Sequence, residues 1–302
     1  MTDICIVGGG PAGLTAALYA LRAGKEVLVI EENSYGGQII NTPEIENYPA
    51  IDNISGFDFA TSLYNQCIKF GMKIQYDKIN NITKKQDAFL LDGTMSSYEA
   101  KTVIIATGVK RRKLGVDGEE RLIGRGVSYC ATCDGAFFKG KDVAVLGGGN
   151  TALSEAQFLS NYCNKVYLIH RRDTFRGEKS KLDLLYSKDN VIVITDAIIQ
   201  SIKGDNLVEG LCYFDKKNAE EKSINVSGIF VAVGQSPDVY FLKELIDLDE
   251  SGYINTGEQC ESNMPGLFVA GDCRKKEVRQ LTTATSDGTI AAIKACEFID
   301  LK

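Results

Sequence analysis

The chain has 302 residues, of which 44% are hydrophobic, and this is enough to fill the cores of two domains. Its net charge of −6 and the absence of a long basic run argue against a nucleic-acid partner. No apolar run approaches the roughly 20 residues that a membrane-spanning helix needs, and a strand beginning at Asp3 leaves no room for a signal peptide. We therefore expect a cytoplasmic protein without a membrane partner.

The first element in the chain is a strand that leads into a glycine-rich turn. The apolar run Ile4 to Val7 precedes Gly8-Gly9-Gly10-Pro11-Ala12-Gly13, a helix is predicted over 13–23, and a second strand ends at Glu31. In this pattern Gly8 permits the tight turn, Gly10 lets a pyrophosphate approach the backbone, and Gly13 allows the helix to pack on the strand. An acidic residue such as Glu31 accepts hydrogen bonds from ribose hydroxyls. The pattern predicts a site for a dinucleotide without a 2′-phosphate.

The next segments complete a first unit. A long loop runs from Gly36 to Ala50, a helix is predicted near 56–70, and antiparallel strands are predicted near 73–92. The run 103–108 is a buried strand that ends at a small turn. The charged, glycine-rich stretch 110–126 is interpreted as a linker.

Cys130-Ala131-Thr132-Cys133 follows this stretch. Its spacing is typical of a dithiol that opens and closes, with the first sulfur exposed and the second behind it. Asp134, the next residue, is a candidate acid/base, because a carboxyl group near a thiol can have a raised pKa. The alternative role of Asp134 is that of a helix N-cap.

A second glycine-rich turn repeats the first one 139 positions later, where the strand 143–146 precedes Gly147-Gly148-Gly149-Asn150-Thr151-Ala152. At the same offset, His170 replaces Glu31 and is followed by Arg171, Arg172 and Arg176. Three guanidinium groups suit a 2′-phosphate, so this site is predicted to prefer NADPH over NADH. The alternative is a solvated basic turn. His170, the only histidine, is interpreted as a phosphate contact and not as a base.

The remaining segments define the domain organisation. Strands are predicted near 191–195 and 229–233, with polar hairpin material at 198–226 between them. The strand 266–272 ends in Gly-Asp and fits the first domain, and a helix is predicted over 281–298. We predict a discontinuous first domain, 1–112 with 245–302, and an inserted second domain, 113–244.

Together these motifs resemble the bacterial-type, low-molecular-weight thioredoxin reductases, which belong to the FAD- and NADPH-dependent pyridine nucleotide-disulfide oxidoreductases. The resemblance covers essentially the whole chain and implies an α/β fold with two Rossmann-like domains (three-layer ββα), the second inserted into the first. The FAD residues that it implies are Gly8, Gly10, Pro11, Ala12, Gly13, Glu31, Gly37, Gln38, Asn47, Thr107, Gly108, Gly271, Asp272, Arg279 and Gln280. The NADPH residues are Gly147, Gly149, Asn150, Thr151, Ala152, His170, Arg171, Arg172, Arg176 and Gly234.

The resemblance also implies a mechanism. Electrons would pass from NADPH through FAD to the Cys130–Cys133 disulfide, and from the dithiol to the disulfide of thioredoxin. Cys133 would face the flavin and form the charge-transfer thiolate, whereas Cys130 would attack the partner. Since one flavin face cannot hold the dithiol and the nicotinamide together, we expect the second domain to rotate about linkers near 110–118 and 240–246. A homodimer is also implied.

The same motifs bear on three other interpretations. A glutathione-reductase-type enzyme would carry its cysteine pair near residues 40–50, where this chain has no cysteine. The same chemistry with another acceptor (a glutaredoxin-like protein, a peroxidase component or a small dithiol) and a nucleotide-binding redox sensor without turnover both stay open. The other seven cysteines are scattered, so we expect buried free thiols and no metal site.

Overall fold

The computed structural model describes residues 1–301. The chain divides into two compact units: residues up to Lys110 together with those from Ser236 onward form unit 1, and Arg111–Gln235 form unit 2. The chain returns from unit 2 to unit 1 at 235/236, earlier than the predicted boundary at 244/245, because Val239 and Leu242 are buried in the core of unit 1. The assignment of one cofactor to each unit stays a prediction.

The secondary structure follows the predicted order of elements. The strands are β1 Thr2–Val7, β2 Val27–Glu31, β3 Lys73–Tyr76, β4 Ile79–Lys84, β5 Phe89–Gly93, β6 Ser97–Ile105, β7 Val109–Arg111, β8 Val127–Ser128, β9 Asp142–Leu146, β10 Lys165–Ile169, β11 Val191–Ile194, β12 Ala197–Lys203, β13 Gly210–Asp215, β14 Glu220–Asn225, β15 Gly228–Val231, β16 Gln235–Pro237 and β17 Leu267–Val269. The α-helices are α1 Pro11–Arg22, α2 Gly56–Lys69, α3 Ala131–Asp134, α4 Asn150–Leu159, α5 Lys179–Tyr186 and α6 Leu281–Asp300. The 3₁₀ turns are Gly37–Asn41, Glu120–Leu122, Gly135–Phe138, Tyr240–Leu242 and Gly271–Cys273.

Unit 1 is built on a seven-stranded sheet, in which six strands have the order β3-β2-β1-β6-β5-β4 and the seventh, β17, pairs with β6. The long strand β6 pairs antiparallel with β5 at its start and parallel with β17 at its end, where Phe268 lies opposite Ile104. The prediction of antiparallel strands near 73–92 is correct for β4 and β5, whereas it is wrong for β3, which pairs parallel with β2. The carboxyl ends of β1, β2, β6 and β17 therefore meet at one edge of the sheet.

Two helices, α1 and α6, cover one face of this sheet and pack very closely against each other. The buried face of α1 consists of small residues such as Ala12, Ala16 and Ala20, and it packs against α6. A Cβ atom on Gly288 of α6 would lie 2.2 Å from the carbonyl oxygen of Ala12. This close approach fixes α1, and with it the glycine turn that precedes α1.

Unit 2 contains a parallel sheet of order β11-β10-β9-β15-β8 and a three-stranded antiparallel sheet of order β12-β13-β14. The interpretation of 110–126 as a linker is wrong. Leu122 is fully buried in the core of the unit, and the buried Glu119 carboxylate accepts hydrogen bonds from the N–H groups of Leu114 and Gly115 and from the Tyr129 hydroxyl. The charges in this stretch therefore organise a packed loop.

Six of the seven free cysteines are buried, as predicted, and Cys212 is half-buried. Burial raises the pKa of the Cys67 thiol to about 12 and that of Cys273 to about 11. Within residues 1–301 no group of three or more His, Cys, Asp or Glu side chains is placed to hold a metal ion. In the same part of the chain, no helix is long and apolar enough to cross a membrane.

Candidate active site

The first glycine turn forms a backbone cradle in unit 1. Gly8 has φ +111°, and a Cβ atom there would lie 2.4 Å from the carbonyl oxygen of Ala106. A Cβ atom on Gly13 would lie 1.9 Å from the carbonyl oxygen of Gly8, so no larger residue fits. A second glycine segment lies against this turn, because Gly36 donates its N–H to the Gly9 carbonyl at 2.7 Å. The cradle fits the phosphates of a dinucleotide at the N-terminus of α1.

Glu31 lies directly at this cradle. Its carboxylate accepts hydrogen bonds from the N–H of Gly9 at 2.7 Å and from the N–H of Asn33 at 2.9 Å. These bonds hold the carboxylate at the end of β2, beside the turn. Ribose recognition by Glu31 stays a prediction that this position supports.

Other predicted residues of the first site lie on loops of the same unit. Gln38 donates its side-chain N–H to the carbonyl of Val109, and the Asn47 amide donates to the Gln280 side chain at 3.3 Å. The Thr107 hydroxyl is buried, and at Gly108 (φ +66°) a Cβ atom would meet nothing within 4 Å. Open space therefore lies beside Gly108, at the carboxyl end of β6.

The segment from Gly271 to Gln280 in unit 1 is held by Asp287, which the sequence motifs do not indicate as a site residue. The buried Asp287 carboxylate of α6 accepts the N–H of Gly271 at 3.0 Å and forms an ion pair with Arg274 at 2.5 Å. Downstream, Arg279 lies over the Tyr253 ring at 4.3 Å, and Gln280 forms the capping box of α6. Asp287 thus anchors the turn that carries Asp272.

The second glycine turn has the same construction in unit 2. Gly147 has φ +158°, and a Cβ atom on it would lie 2.3 Å from the carbonyl oxygen of Ala232. Asn150, at the start of α4, accepts a hydrogen bond from the N–H of Glu178 at 2.8 Å. Thr151 is exposed, Ala152 is buried and Gly234 has φ +111°. Each unit therefore contains a cradle at the N-terminus of a helix.

His170 packs beneath this turn. A Cβ atom on Gly148 would lie 2.3 Å from the His170 ring. The ring tilts against that of Phe175, with 5.0 Å between the ring centroids. Burial lowers the pKa of His170, which favours the neutral form of the ring. A direct phosphate contact by His170 stays a prediction, and the structure supports a packing role for the ring.

The three arginines after His170 are all exposed. Within residues 1–301, Arg171, Arg172 and Arg176 form no ion pair with a carboxylate. Three unpaired guanidinium groups beside a glycine turn favour an anion such as a 2′-phosphate.

Gly149 offers a test of the second cradle. A Cβ atom there would meet nothing within 4 Å, and its φ of −101° suits any residue. We expect Gly149→Ala to leave the melting temperature unchanged and to weaken NADPH binding, because the methyl group occupies the space that the phosphates need. Gly13→Ala is the contrasting variant, because its Cβ clash should lower the melting temperature. Unchanged NADPH affinity in Gly149→Ala would place the phosphates elsewhere.

Cys130 and Cys133 form a disulfide at the start of α3, with 5.3 Å between their Cα atoms. Cys133 is exposed, whereas Cys130 is half-buried. These exposures are those of the whole residues, and the contact between the Cys130 Sγ and the Thr132 hydroxyl is itself exposed. Exposure of the first sulfur therefore stays a prediction. Cys130 immediately precedes the short helix α3 and Cys133 lies within it, so both cysteines belong to unit 2.

Asp134 is connected to Cys130 through a serine. The Cys130 N–H donates to the Ser128 hydroxyl at 3.0 Å, and this hydroxyl donates to the Asp134 carboxylate at 2.6 Å. Burial raises the pKa of Asp134, in the direction expected for an acid/base. Asp134 is the last residue of α3 and occupies the N-cap position of the 3₁₀ turn Gly135–Phe138, but its side chain forms no capping hydrogen bond, so the alternative N-cap role is met in position only.

Glu155 is a second carboxyl group at the dithiol that was not predicted as a site residue. Its Oε1 accepts the N–H of Ala131 at 3.4 Å, and its Oε2 is buried without a hydrogen-bond partner among residues 1–301. Burial is the main cause that raises the pKa of Glu155 to about 7. The signal was available in the sequence, because Glu155 lies on the apolar stripe of α4 that includes Ala152, Ala156 and Leu159.

The raised pKa of Glu155 predicts a pH-dependent stability. The unfolded chain releases the Glu155 proton near pH 4.5 and the folded chain near pH 7, so stability is lost as the pH rises through this interval. We expect the free energy of unfolding to fall by about 3 kcal/mol more in the wild type than in Glu155→Gln between pH 4.5 and 8. Urea denaturation of the oxidised proteins measures this difference, and parallel pH profiles would contradict it.

Comparisons with known proteins match the whole chain. The family model described as pyridine nucleotide-disulphide oxidoreductase matches residues 2–288. The chain is 40% identical over 299 residues to a thioredoxin reductase of Listeria monocytogenes, covering 99% of this chain and 94% of the relative. It is also 40% identical over 299 residues to a thioredoxin reductase of Treponema pallidum, covering 99% and 97% of the two chains. The crystal structure of thioredoxin reductase from Streptococcus pyogenes is similar, with 41% identity, a TM-score of 0.96 and coverage of 100% and 99%.

Proposed function

Because the chain belongs to the pyridine nucleotide-disulphide oxidoreductase family, we propose that it reduces the disulfide of thioredoxin with electrons from NADPH, through FAD and the Cys130–Cys133 pair. One observation carries this proposal: the Cys130–Cys133 disulfide lies in the same unit as a glycine cradle flanked by three unpaired arginines. The relatives named thioredoxin reductase support the choice of partner.

Each glycine cradle is assigned one cofactor. The cradle of unit 1, with Glu31 and the Gly271-Asp272 turn, would hold FAD, and the cradle of unit 2, with Arg171, Arg172 and Arg176, would hold NADPH. When bound, NADPH is the electron-pair donor and FAD is the relay between donor and disulfide. Backbone N–H groups at the two helix N-termini and the arginine side chains bind the phosphates.

The cysteine pair performs the exchange with the partner. A thiolate of the reduced pair attacks one sulfur of the partner disulfide, which breaks the partner S–S bond and forms a mixed disulfide. The second cysteine then attacks the mixed disulfide, re-forms the Cys130–Cys133 bond and releases the partner dithiol. Asp134, held by Ser128, donates and accepts the protons of these steps. The resemblance assigns the attack to Cys130, although Cys133 is the more exposed residue.

Three further features belong to this proposal. We place the protein in the cytoplasm, where its seven free cysteines stay reduced.

A homodimer is supported by Phe57, Ile68 and Phe70, which are exposed on and just after α2, and sedimentation equilibrium tests it. Rotation of the second unit stays a prediction, and full activity in a molecule locked by a cross-link between the units would contradict it.

Anaerobic reduction tests the choice of electron donor. The oxidised protein is mixed with NADPH or with NADH, and loss of the flavin absorbance is followed by stopped flow. We expect fast bleaching with NADPH, slow bleaching with NADH and recovery of the absorbance when oxidised thioredoxin is added. Bleaching by neither nucleotide would contradict the proposal and favour the redox sensor. Bleaching that only a small disulfide or a glutaredoxin-like protein reverses would favour the alternative acceptor.

A further inference from the structure

Two carboxyl groups are tied to the turn that carries the cysteines, and the proposed chemistry uses only one of them. Asp134 reaches the Cys130 N–H through the Ser128 hydroxyl. Glu155 reaches the next N–H in the chain, that of Ala131, directly from α4. Consecutive backbone N–H groups of the redox turn are therefore linked to two different acids, the first through Ser128 and the second directly.

Glu155 is poorly solvated for an ionised group. In the described part of the chain only one of its two oxygens has a hydrogen-bond donor, the other is fully buried, and the bond to Ala131 is long at 3.4 Å. An ionised carboxylate needs several donors to offset the loss of water. The ionised form of Glu155 is therefore less stable than that of an exposed glutamate, in agreement with the rise of its pKa to about 7.

Few charges face Glu155 from the elements around it. Asp134 of α3 raises its pKa and Arg111 of β7 lowers it. Glu155 is the only charged residue of α4. The other elements packed against α4, which are β9, β10 and α5, contribute no charge that shifts the pKa of Glu155 among residues 1–301. A new negative charge on the cysteine pair would thus be a large change in the electrostatic surroundings of Glu155.

We propose that Glu155 couples the redox state of the Cys130–Cys133 pair to proton uptake, so that reduction of the disulfide is accompanied by protonation of Glu155. In this step the S–S bond breaks and accepts two electrons. One proton converts one sulfur to a thiol, the other sulfur stays as a thiolate, and a second proton from solvent binds the Glu155 carboxylate. The like charge of the thiolate is the cause, because it disfavours an ionised carboxylate nearby.

The coupling is reciprocal, as linkage requires. A protonated Glu155 removes one negative charge from the surroundings of the thiolate and so favours the reactive form of the dithiol. When the disulfide re-forms, Glu155 returns its proton to solvent. Glu155 acts through the Ala131 N–H and through its charge, so it is a positioning residue and not a reacting group. This inference rests on the proposed function only in requiring that the pair be redox-active.

The pH dependence of the dithiol–disulfide equilibrium tests this role. The holoenzyme is equilibrated with dithiothreitol buffers between pH 6 and 9, and the reduced fraction of the pair is measured by alkylation and mass spectrometry. For a coupling of about one pKa unit, the reduced-to-oxidised ratio should fall about threefold more in the wild type than in Glu155→Gln between pH 7 and 8. Glu209→Gln, which changes an exposed glutamate of the same unit, is the matched control and should follow the wild type.

Two further measurements keep the test independent of how Glu155→Gln folds. The extra pH dependence should persist in Asp134→Asn, and its loss there would assign the proton to Asp134 and overturn the proposal. In wild-type protein at pH 8, infrared difference spectra should show a protonated carboxyl band that appears on reduction, and absence of this band would also overturn it. The equilibrium uses dithiothreitol alone, so it can succeed or fail independently of NADPH and thioredoxin.

Discussion

Replacement of Cys130 by serine is expected to abolish NADPH-dependent reduction of thioredoxin. A hydroxyl group cannot form the Cys130–Cys133 disulfide or a mixed disulfide, so turnover should fall by at least about a thousandfold. Flavin bleaching by NADPH should persist, because the two glycine cradles are separate from the cysteine pair in sequence and construction. Stopped-flow bleaching and steady-state turnover measure the two effects in the same preparation.

Cys212→Ser is the matched control for this prediction. Cys212 is a half-buried free cysteine of the same unit, on β13, and it forms no disulfide. This variant should keep full turnover. Substantial thioredoxin reduction by Cys130→Ser would show that the electrons leave by another route. Cys133→Ser decides between the sulfurs, because a stable mixed disulfide with thioredoxin through Cys130 is expected if Cys130 attacks.

Removal of the arginine cluster is expected to eliminate the preference for NADPH. The guanidinium groups of Arg171, Arg172 and Arg176 are exposed and form no ion pairs with other parts of the described chain. A hydrogen bond to a charged group contributes about 1.5–3 kcal/mol, so the triple alanine variant should lose at least about 100-fold in kcat/KM for NADPH. The value for NADH should change little, because NADH has no 2′-phosphate.

Salt dependence and a control variant make this prediction specific. The KM for NADPH in the wild type should rise with ionic strength, and the triple variant should lose most of that dependence. Lys203→Ala removes an exposed cation of the same unit that is outside the turn, and it should behave like the wild type. An equal loss of kcat/KM for both nucleotides would contradict a role in 2′-phosphate recognition.

The internal repeat explains why so much of the fold could be predicted. Gly8 and Gly147 occupy equivalent positions, and each lies against a carbonyl oxygen at the end of a parallel strand, that of Ala106 or that of Ala232. Glu31 and His170 likewise lie at the ends of the second strands, each beside its glycine turn. A strand, a glycine turn and a helix are local features, so their pattern is visible in a short stretch of sequence.

Features that depend on distant partners could not be predicted in this way. The short strand β3 pairs parallel with β2 because of its position at the sheet edge, which its own composition does not specify. The charged residues around Leu122 are typical of a linker. The sequence does not show that Leu114 and Tyr129 donate hydrogen bonds to the buried Glu119 carboxylate, and these bonds make the stretch a packed loop. Asp287 is one acidic residue in a long helix, and only the fold brings Arg274 and Gly271 to it.

Glu155 is an intermediate case. Its place on the apolar face of α4 is a sequence signal, because a charged residue on such a face needs a partner or a shifted pKa. The identity of its neighbour, the Ala131 N–H between the two cysteines, came only from the structure. The sequence therefore marks the residue as unusual, and the three-dimensional contacts relate it to the dithiol.

The stoichiometry of thiol formation tests the central claim most directly. Oxidised thioredoxin in excess is incubated anaerobically with limiting NADPH and a catalytic amount of the protein, and the new thiols are counted by alkylation. We predict two thioredoxin thiols for each NADPH consumed in the wild type, and none in Cys130→Ser. Consumption of NADPH without formation of thioredoxin thiols, or thiol formation that survives the loss of Cys130, would contradict the account.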